Sequence, residues 1–325
     1  MRTLDDYIAA RTRIRDQIHL TPLLRSTLLG KSIGAPLYLK CENLQKTGSF
    51  KVRGILNKLL QLDADAKSRG VITISTGNAA QAMAWAAQAI NTRAVVVMPA
   101  DASPIKAEAC RSYGAEVVLH GDVSQAFEKV HQLEREENLT FVHPFDDLEV
   151  VTGHASAGLE ILEQLGDGAS TIVVVPIGGG GLISGVAAAV KLTDPSARVF
   201  GVEPEGADTM RQSLSRGHAV QADSVHSIAH GLTPPMAGEI NYEYVKQYVE
   251  AVVVVSDDEI IAAMEPILTR TKLVVEPSGA AAVAALLAGK IPVRKTDRVV
   301  AVLSGGNVEM GELKEFVCPK EAHRP

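Results

Sequence analysis

Lys51 stands in a nonapeptide, Lys46-Thr47-Gly48-Ser49-Phe50-Lys51-Val52-Arg53-Gly54, that joins an extended run to a helical pattern. Ile55, Leu56, Leu59 and Leu60 recur at three- and four-residue spacing, which puts Lys51 near the first turn of a helix, behind a Gly-Ser corner. The positive end of the helix dipole disfavours an ammonium there. An amine kept partly neutral is a nucleophile, and its best-known product is an imine with a carbonyl. Taken alone, the stretch better describes a solvated lysine at a helix start, since lysine is common and the spacing is not diagnostic. Three later stretches decide between these readings.

The first is Gly178-Gly179-Gly180-Gly181, set between the apolar run Thr171 to Val175 and the helical run Leu182 to Val190. Backbone amides and a helix dipole make an anion site there, and glycine lets the backbone approach a phosphate closely. A dinucleotide fingerprint needs a further glycine five residues on, but Ile183 and Ser184 occupy those positions. A P-loop fails as well, because Gly180 to Gly185 is followed by Val186 and Gly30-Lys31-Ser32 has Arg25 where the first glycine belongs. The second stretch is Ser75-Thr76-Gly77-Asn78, whose hydroxyls, carboxamide and helix start suit a carboxylate, though an ordinary N-cap uses the same residues. The third is Ser304-Gly305-Gly306-Asn307 at a strand end, where open α/β sheets bind ligands. Together they describe a ligand with a carbonyl and a phosphate, acting on a substrate with a carboxylate. Pyridoxal phosphate working on amino acids meets every requirement.

The elements that must position these residues read as alternating strands and helices. Leu4 to Ile18 is an amphipathic helix, ended by His19-Leu20-Thr21-Pro22. Strands at Leu37 to Cys41, Val71 to Ile74, Ala94 to Met98, Glu116 to Leu119 and Thr140 to Val142 alternate with helices. A second series follows: helix Gly153 to Leu165, then strands Thr171 to Val175, Val199 to Val202, Ala251 to Val255 and Val299 to Leu303. The irregular segment His218 to Glu239, rich in Pro, His and Gly, is long enough to be functional. The expected class is α/β, with two open, twisted parallel-sheet lobes and an active-site cleft between them. The charged tail from Cys318 to Pro325 is expected to fray.

Composition excludes several classes. The 325 residues are 46% hydrophobic and 22% charged, with a net charge of -6 and only 4% aromatics. That gives no basic footprint or stacking platform for nucleic acid. No apolar run approaches the roughly 20 residues of a membrane helix. The three cysteines, Cys41, Cys110 and Cys318, fit no metal or redox spacing and suit a reducing cytoplasm.

On Lys40 to Gly54, Ser75 to Gln81, Val175 to Gly185, Glu276-Pro277-Ser278-Gly279 and Ser304-Gly305-Gly306, the chain resembles the tryptophan-synthase-β-like, fold type II pyridoxal-phosphate enzymes. It is most similar to their serine/threonine dehydratase and serine racemase branch, over essentially its whole length. The resemblance implies a large cofactor-binding domain from residues 1–47 and 148–325, and a small domain from 48–147. It implies that Lys51 holds pyridoxal phosphate as an imine, with Phe50 packed beside the ring. Asn78 then bonds the phenolic oxygen, Gly178, Gly179, Gly180, Gly181 and Leu182 hold the phosphate, Glu276 adjoins the cofactor, and Ser304 faces the pyridine nitrogen. Ser75, Thr76, Gly77, Asn78 and Ala79 form the substrate side. Lys51, Thr76 and Ser304 are the expected catalytic residues, and a homodimer is the expected assembly.

The implied activity is that of an ammonia-lyase turning a 3-hydroxy amino acid into a 2-oxo acid and ammonia. A serine or aspartate racemase, with Thr76 on the face opposite Lys51, and a non-catalytic amino-acid sensor are the alternatives. Three departures bear on the substrate: Ala79 stands where the family has histidine, Gly153-His154-Ala155-Ser156 replaces Gly-Gln-Gly-Thr, and Ala229-His230-Gly231 replaces Ala-Asp-Gly. His154 and His230 are therefore placed near the substrate, although either equally suits a packed or solvated side chain. Some members bind a divalent cation. Glu203 and the Ala207 carbonyl match that site, but Thr209 replaces its second acid, so no metal is assigned.

Overall fold

The computed structural model describes residues 1–168 and 170–318, and the tail expected to fray beyond Cys318 lies outside them. Among the described residues the strands are β1 (Leu23–Arg25), β2 (Leu37–Cys41), β3 (Val71–Ile74), β4 (Ala94–Met98), β5 (Glu116–Leu119), β6 (Thr140–Phe141), β7 (Thr171–Pro176), β8 (Arg198–Pro204), β9 (Ala251–Val255) and β10 (Arg298–Leu303). The helices are α1 (Leu4–Ile14), α2 (Thr27–Ile33), α3 (Lys51–Leu60), α4 (Ala64–Arg69), α5 (Asn78–Ala89), α6 (Pro104–Ser112), α7 (Val123–Glu137), α8 (Leu148–Leu165), α9 (Gly181–Thr193), α10 (Thr209–Arg216), α11 (Glu239–Tyr248), α12 (Asp257–Thr271), α13 (Pro277–Leu287) and α14 (Met310–Val317).

The strands form two sheets. One has the order β1-β2-β10-β7-β8-β9 and the other β5-β4-β3-β6. Every pairing is parallel except β1 with β2, where Leu23 opposes Lys40. β1 was not expected, because three residues are too few to show a period. Helices cover both faces of the larger sheet, so Ile172 to Val175 and Val299 to Leu303 are all buried and read as unbroken apolar runs. Ile14 and Ile18, from α1 and the turn after it, pack with Val71 and Val96 in the core of the smaller sheet.

α8 starts at Leu148, five residues before the expected Gly153, because the Asp147 carboxylate accepts from the Glu149 and Val150 amides at 2.8 and 3.2 Å. Gly153 is then mid-helix, where a Cβ would lie 2.4 Å from the Arg53 carbonyl oxygen. A Cβ at Gly54 would meet the Val150 carbonyl oxygen at 2.5 Å. These two glycines let α8 press against α3, the helix that begins with Lys51.

A buried ion cluster fixes the start of α3. The Arg53 guanidinium is fully enclosed and donates to Glu42 and to Glu160, each at 2.7 Å. Lys40 Nζ donates to Glu160 at 2.6 Å and to the Thr21 carbonyl at 2.8 Å. Two cations and two carboxylates balance, so no charge is left bare. Arg53→Leu strands Glu42 and Glu160 without their principal partner. It is expected to cost about 3–5 kcal/mol of stability, read as a lowered denaturation midpoint. A loss below about 1 kcal/mol, the scale of an exposed pair, would show that the cluster does not hold this helix.

Candidate active site

Lys51 is the first residue of α3 and lies half-buried in a cleft of about 410 Å³ between the carboxyl ends of the two sheets. Its Nζ donates to the Pro144 carbonyl at 2.8 Å and sits 5.2 Å from the centre of the Phe50 ring. Burial pulls its pKa down to about 8. The backbone before it is stitched to the end of β10: the Phe50 amide donates to the Ser304 carbonyl at 3.1 Å, and Ser49 bridges Gly305. Gly48, at φ +73°, has no room for a side chain, since a Cβ would lie 2.3 Å from Asn307 Oδ1.

Across the cleft, β7 runs into the glycine loop. Gly180 takes φ +100° and α9 begins at Gly181. The amides of Gly178 to Leu182 have no acceptor among the described residues and open beside Lys51. Gly179 must be glycine, because a Cβ there would lie 2.2 Å from the Phe145 ring. Free amides at a helix start are an anion site.

At the end of β3, Ser75 Oγ accepts from the Gly77 amide at 3.1 Å, and Gly77, not Asn78, occupies the N-cap of α5. Asn78 is thereby released from capping. Its Nδ2 donates to Glu276 at 2.7 Å, and its Oδ1 accepts from Asn307 at 2.8 Å. The second Nδ2 hydrogen remains available to a ligand. Burial raises the Glu276 carboxyl to about 7, opposed by the bond from Asn78. Ser304 is buried, with Oγ 3.3 Å from the Ser278 carbonyl.

Phe50, Lys51, Ser75, Thr76, Gly77, Asn78, Ala79, Gly178 to Leu182, His230, Glu276 and Ser304 all line this one cleft. His154 does not, which corrects its placement beside the substrate. On α8 it faces α3 beside Gly54, where its fully buried ring meets Phe50 edge-on at 4.8 Å and neither nitrogen has a hydrogen-bond partner among the described residues. Burial, then Lys51 and Arg53, hold it neutral. His230 lies exposed at the rim, on the turn His230–Leu232.

Sequence reasoning missed Pro144 and Phe145, and gave Asn307, named in the strand-end stretch, no role of its own. The signal for the first two was a proline-containing stretch directly after a strand of a parallel sheet. The residues compared with a cation site do another job. Glu203 accepts from the Met210 and Arg211 amides at 2.8 and 2.9 Å, capping α10, and burial raises it to about 8. The described residues contain no group of three acids, histidines or cysteines that could hold a metal.

The sequence pattern of the pyridoxal-phosphate dependent enzymes matches residues 14–305. The chain belongs to that family. Among relatives of this pyridoxal-phosphate enzyme, the L-threonine ammonia-lyase of Thermotoga maritima is 40% identical over 98% of this chain and 78% of its own. The phenylserine dehydratase of Ralstonia pickettii is 43% identical over 92% of this chain and 91% of its own. The solved serine racemase of Dictyostelium discoideum superposes with a TM-score of 0.88 at 37% identity, covering 95% of this chain and 99% of that one. A solved threonine deaminase, from T.th., superposes with a TM-score of 0.89 at 40% identity over the same shares of the two chains. The residues present suit the cofactor: an amine of lowered pKa, a cradle of unpaired amides and an Asn amide with a spare donor share one cleft.

Labelling of Lys51 by an amine-reactive reagent in the cofactor-free protein is expected to rise with pH through a midpoint of about 8. Peptide mass spectrometry across a pH series measures it. A midpoint near ~10.4, that of a solvated lysine, would contradict the burial account.

Proposed function

We propose that this protein is an ammonia-lyase that converts a 3-hydroxy amino acid into a 2-oxo acid and ammonia by α,β-elimination. The carrying observation is that the Lys51 amine, the open amides of Gly178 to Leu182 and the Ser75–Asn78 turn face one another across a single cleft. The relatives named for threonine and phenylserine support the same reading. When bound, pyridoxal phosphate supplies a carbonyl for imine exchange and a conjugated ring that accepts electrons from the α-carbon.

The chain's own residues do the rest. Gly178 to Leu182 hold the phosphate through backbone amides. Ser75, Thr76 and Asn78 hold the substrate carboxylate. The Lys51 amine, whose burial lowers its pKa to about 8 and so leaves a larger uncharged fraction at neutral pH than a solvated lysine keeps, takes the α-proton at Nζ. The 3-hydroxyl departs with a proton as water, and the released enamine tautomerises and hydrolyses to the 2-oxo acid and ammonia. Ser304 would offer the ring nitrogen a hydroxyl and not a carboxylate, which would leave the cofactor a weaker electron sink and favour loss of the 3-hydroxyl.

The substrate side is small and apolar where an aryl group would sit. Ala79 is nearly fully buried, and Ile74, Val123 and Phe145 line the same cleft. We extend the reading to bulky 3-hydroxy amino acids such as L-threo-phenylserine, alongside L-threonine and L-serine. The enzyme acts in the cytoplasm as a homodimer, with residues 1–47 and 148–325 as the large domain and 48–147 as the small one. Exposed Leu20, Leu24 and Leu28 offer apolar surface to a second copy.

Release of 2-oxo acid from a panel of 3-hydroxy amino acids tests the reaction, and Lys51→Ala is expected to abolish it while leaving the fold intact. Inverted substrate without 2-oxo acid would instead identify a racemase, with Thr76 as the second base. Ala79→His is expected to lower the phenylserine-to-threonine ratio of kcat/KM by about tenfold or more, the value of one well-buried apolar group. An unchanged ratio would remove Ala79 from the substrate wall.

A further inference from the structure

Between β6 and α8 runs Val142-His143-Pro144-Phe145-Asp146-Asp147, and each of its middle residues touches a different part of the site. The Pro144 carbonyl accepts from Lys51 Nζ at 2.8 Å. The Phe145 ring fills the space beside Gly179, and its carbonyl accepts from Asn241 at 3.0 Å. The Asp146 carboxylate accepts from the Glu239 and Ile240 amides, each at 3.1 Å, and so caps α11. Asn241, on α11, donates in turn to the Gly179 carbonyl at 2.9 Å. One short loop therefore reaches the amine, the phosphate cradle and the helix that braces the cradle.

His143 shapes that loop. Its Nδ1 accepts from the Asp146 amide at 2.8 Å and from the Phe145 amide at 3.3 Å, which closes a turn around Pro144. A ring nitrogen that accepts two amides carries no proton, so the ring is neutral and its hydrogen is on Nε2. The charged groups around it are Asp146 and Asp147 on its own loop and Lys51 on α3. Burial keeps the ring neutral with help from Lys51, against the pull of the two aspartates. The ring is also packed edge-on against Phe145 at 4.5 Å and Phe141 at 6.0 Å.

We propose that His143 is a positioning residue: its Nδ1 holds the turn that aims the Pro144 carbonyl at the free amine of Lys51 and sets Phe145 against the phosphate loop. The proposal rests on the reading of Lys51 and Gly178 to Leu182 as the cofactor site. The carbonyl gives the amine a fixed place to wait whenever it is not bonded to the cofactor. Protonation of His143, or loss of its acceptor, frees two amides, loosens the turn and lets water reach Lys51.

The test compares His143→Ala with His143→Asn, whose Oδ1 takes the place of Nδ1. Two quantities are read: the dissociation constant for pyridoxal phosphate, from absorbance titration, and the pH midpoint of Lys51 labelling in the cofactor-free protein. His143→Ala is expected to weaken cofactor binding by about tenfold or more, the order for two amides left without an acceptor, and to raise the midpoint. His143→Asn is expected to keep both near the wild-type values. Unchanged values in His143→Ala, or equal damage in both variants, would overturn the proposal, the latter by showing that the ring acts through packing. If His143→Ala does not fold, His143→Gln replaces it, since its amide reaches the Nε2 position and is expected to fail where asparagine succeeds. Parity of the two amides would count against the proposal. Neither readout uses turnover, so a protein that binds the cofactor but releases no 2-oxo acid would sink the lyase reading alone.

Discussion

The amide of Phe50 donates to the carbonyl of Ser304 across 3.1 Å, and this bond sets the position of everything else in the cleft. It joins the residue before Lys51 to the end of β10, in the middle region of the larger sheet. Beside it the Gly306 amide donates to the Gly48 carbonyl at 2.9 Å. The chain thus enters α3 from a point anchored on one sheet, while the Lys51 side chain reaches a carbonyl that follows the last strand of the other. The reactive amine is the place where both sheets meet, and its position follows from backbone bonds that few side-chain changes can disturb.

Electrostatics divide along α3. Lys51 and Arg53 lie two positions apart on the helix, so they leave it in different directions. Arg53 enters a closed cluster with Glu42, Glu160 and Lys40, where each charge has its counter-charge. Lys51 faces a cleft where no carboxylate among the described residues bonds to it, and burial therefore acts on it unopposed. The same contrast explains the buried histidine. His154, held neutral and without a hydrogen-bond partner among the described residues, backs Phe50 with a ring edge. Glu276 shows the converse effect: burial favours its protonated form, and the Asn78 amide restrains the shift.

Much of this was legible in the chain. β2, β3, β4, β5 and β9 coincide with their apolar runs; β3 and β4 do so because strands buried on both faces leave a β-branched block, while β5 and β9, at the sheet edges and only half-buried, are marked by their valines. The glycine loop was legible because no ordinary turn needs four consecutive glycines after such a block. What could not be read were contacts made by the backbone or set by distant elements. The Pro144 carbonyl carries no sequence signature as an acceptor. Asn307 matters only because Thr47, Gly48 and Asn78 surround it. His154 was drawn toward the substrate by its place in a family motif, whereas the close packing of α8 on α3 sets it behind Phe50. α2, α4, α11 and α14 were passed over. The first two have only seven and six residues, α11 follows an irregular loop, and α14 is short and half-exposed.

On the proposed reading, Lys51 alone carries the cofactor. Reduction of the pyridoxal-phosphate-loaded enzyme with borohydride, followed by peptide mass spectrometry, tests it without reference to substrate. The reduced cofactor's mass is expected on the peptide containing Lys51 and none on Lys40, whose amine is enclosed by Glu160 and the Thr21 carbonyl, or on Lys106 at the cleft wall. A label on another lysine, or a loaded enzyme that takes up no label, would contradict it.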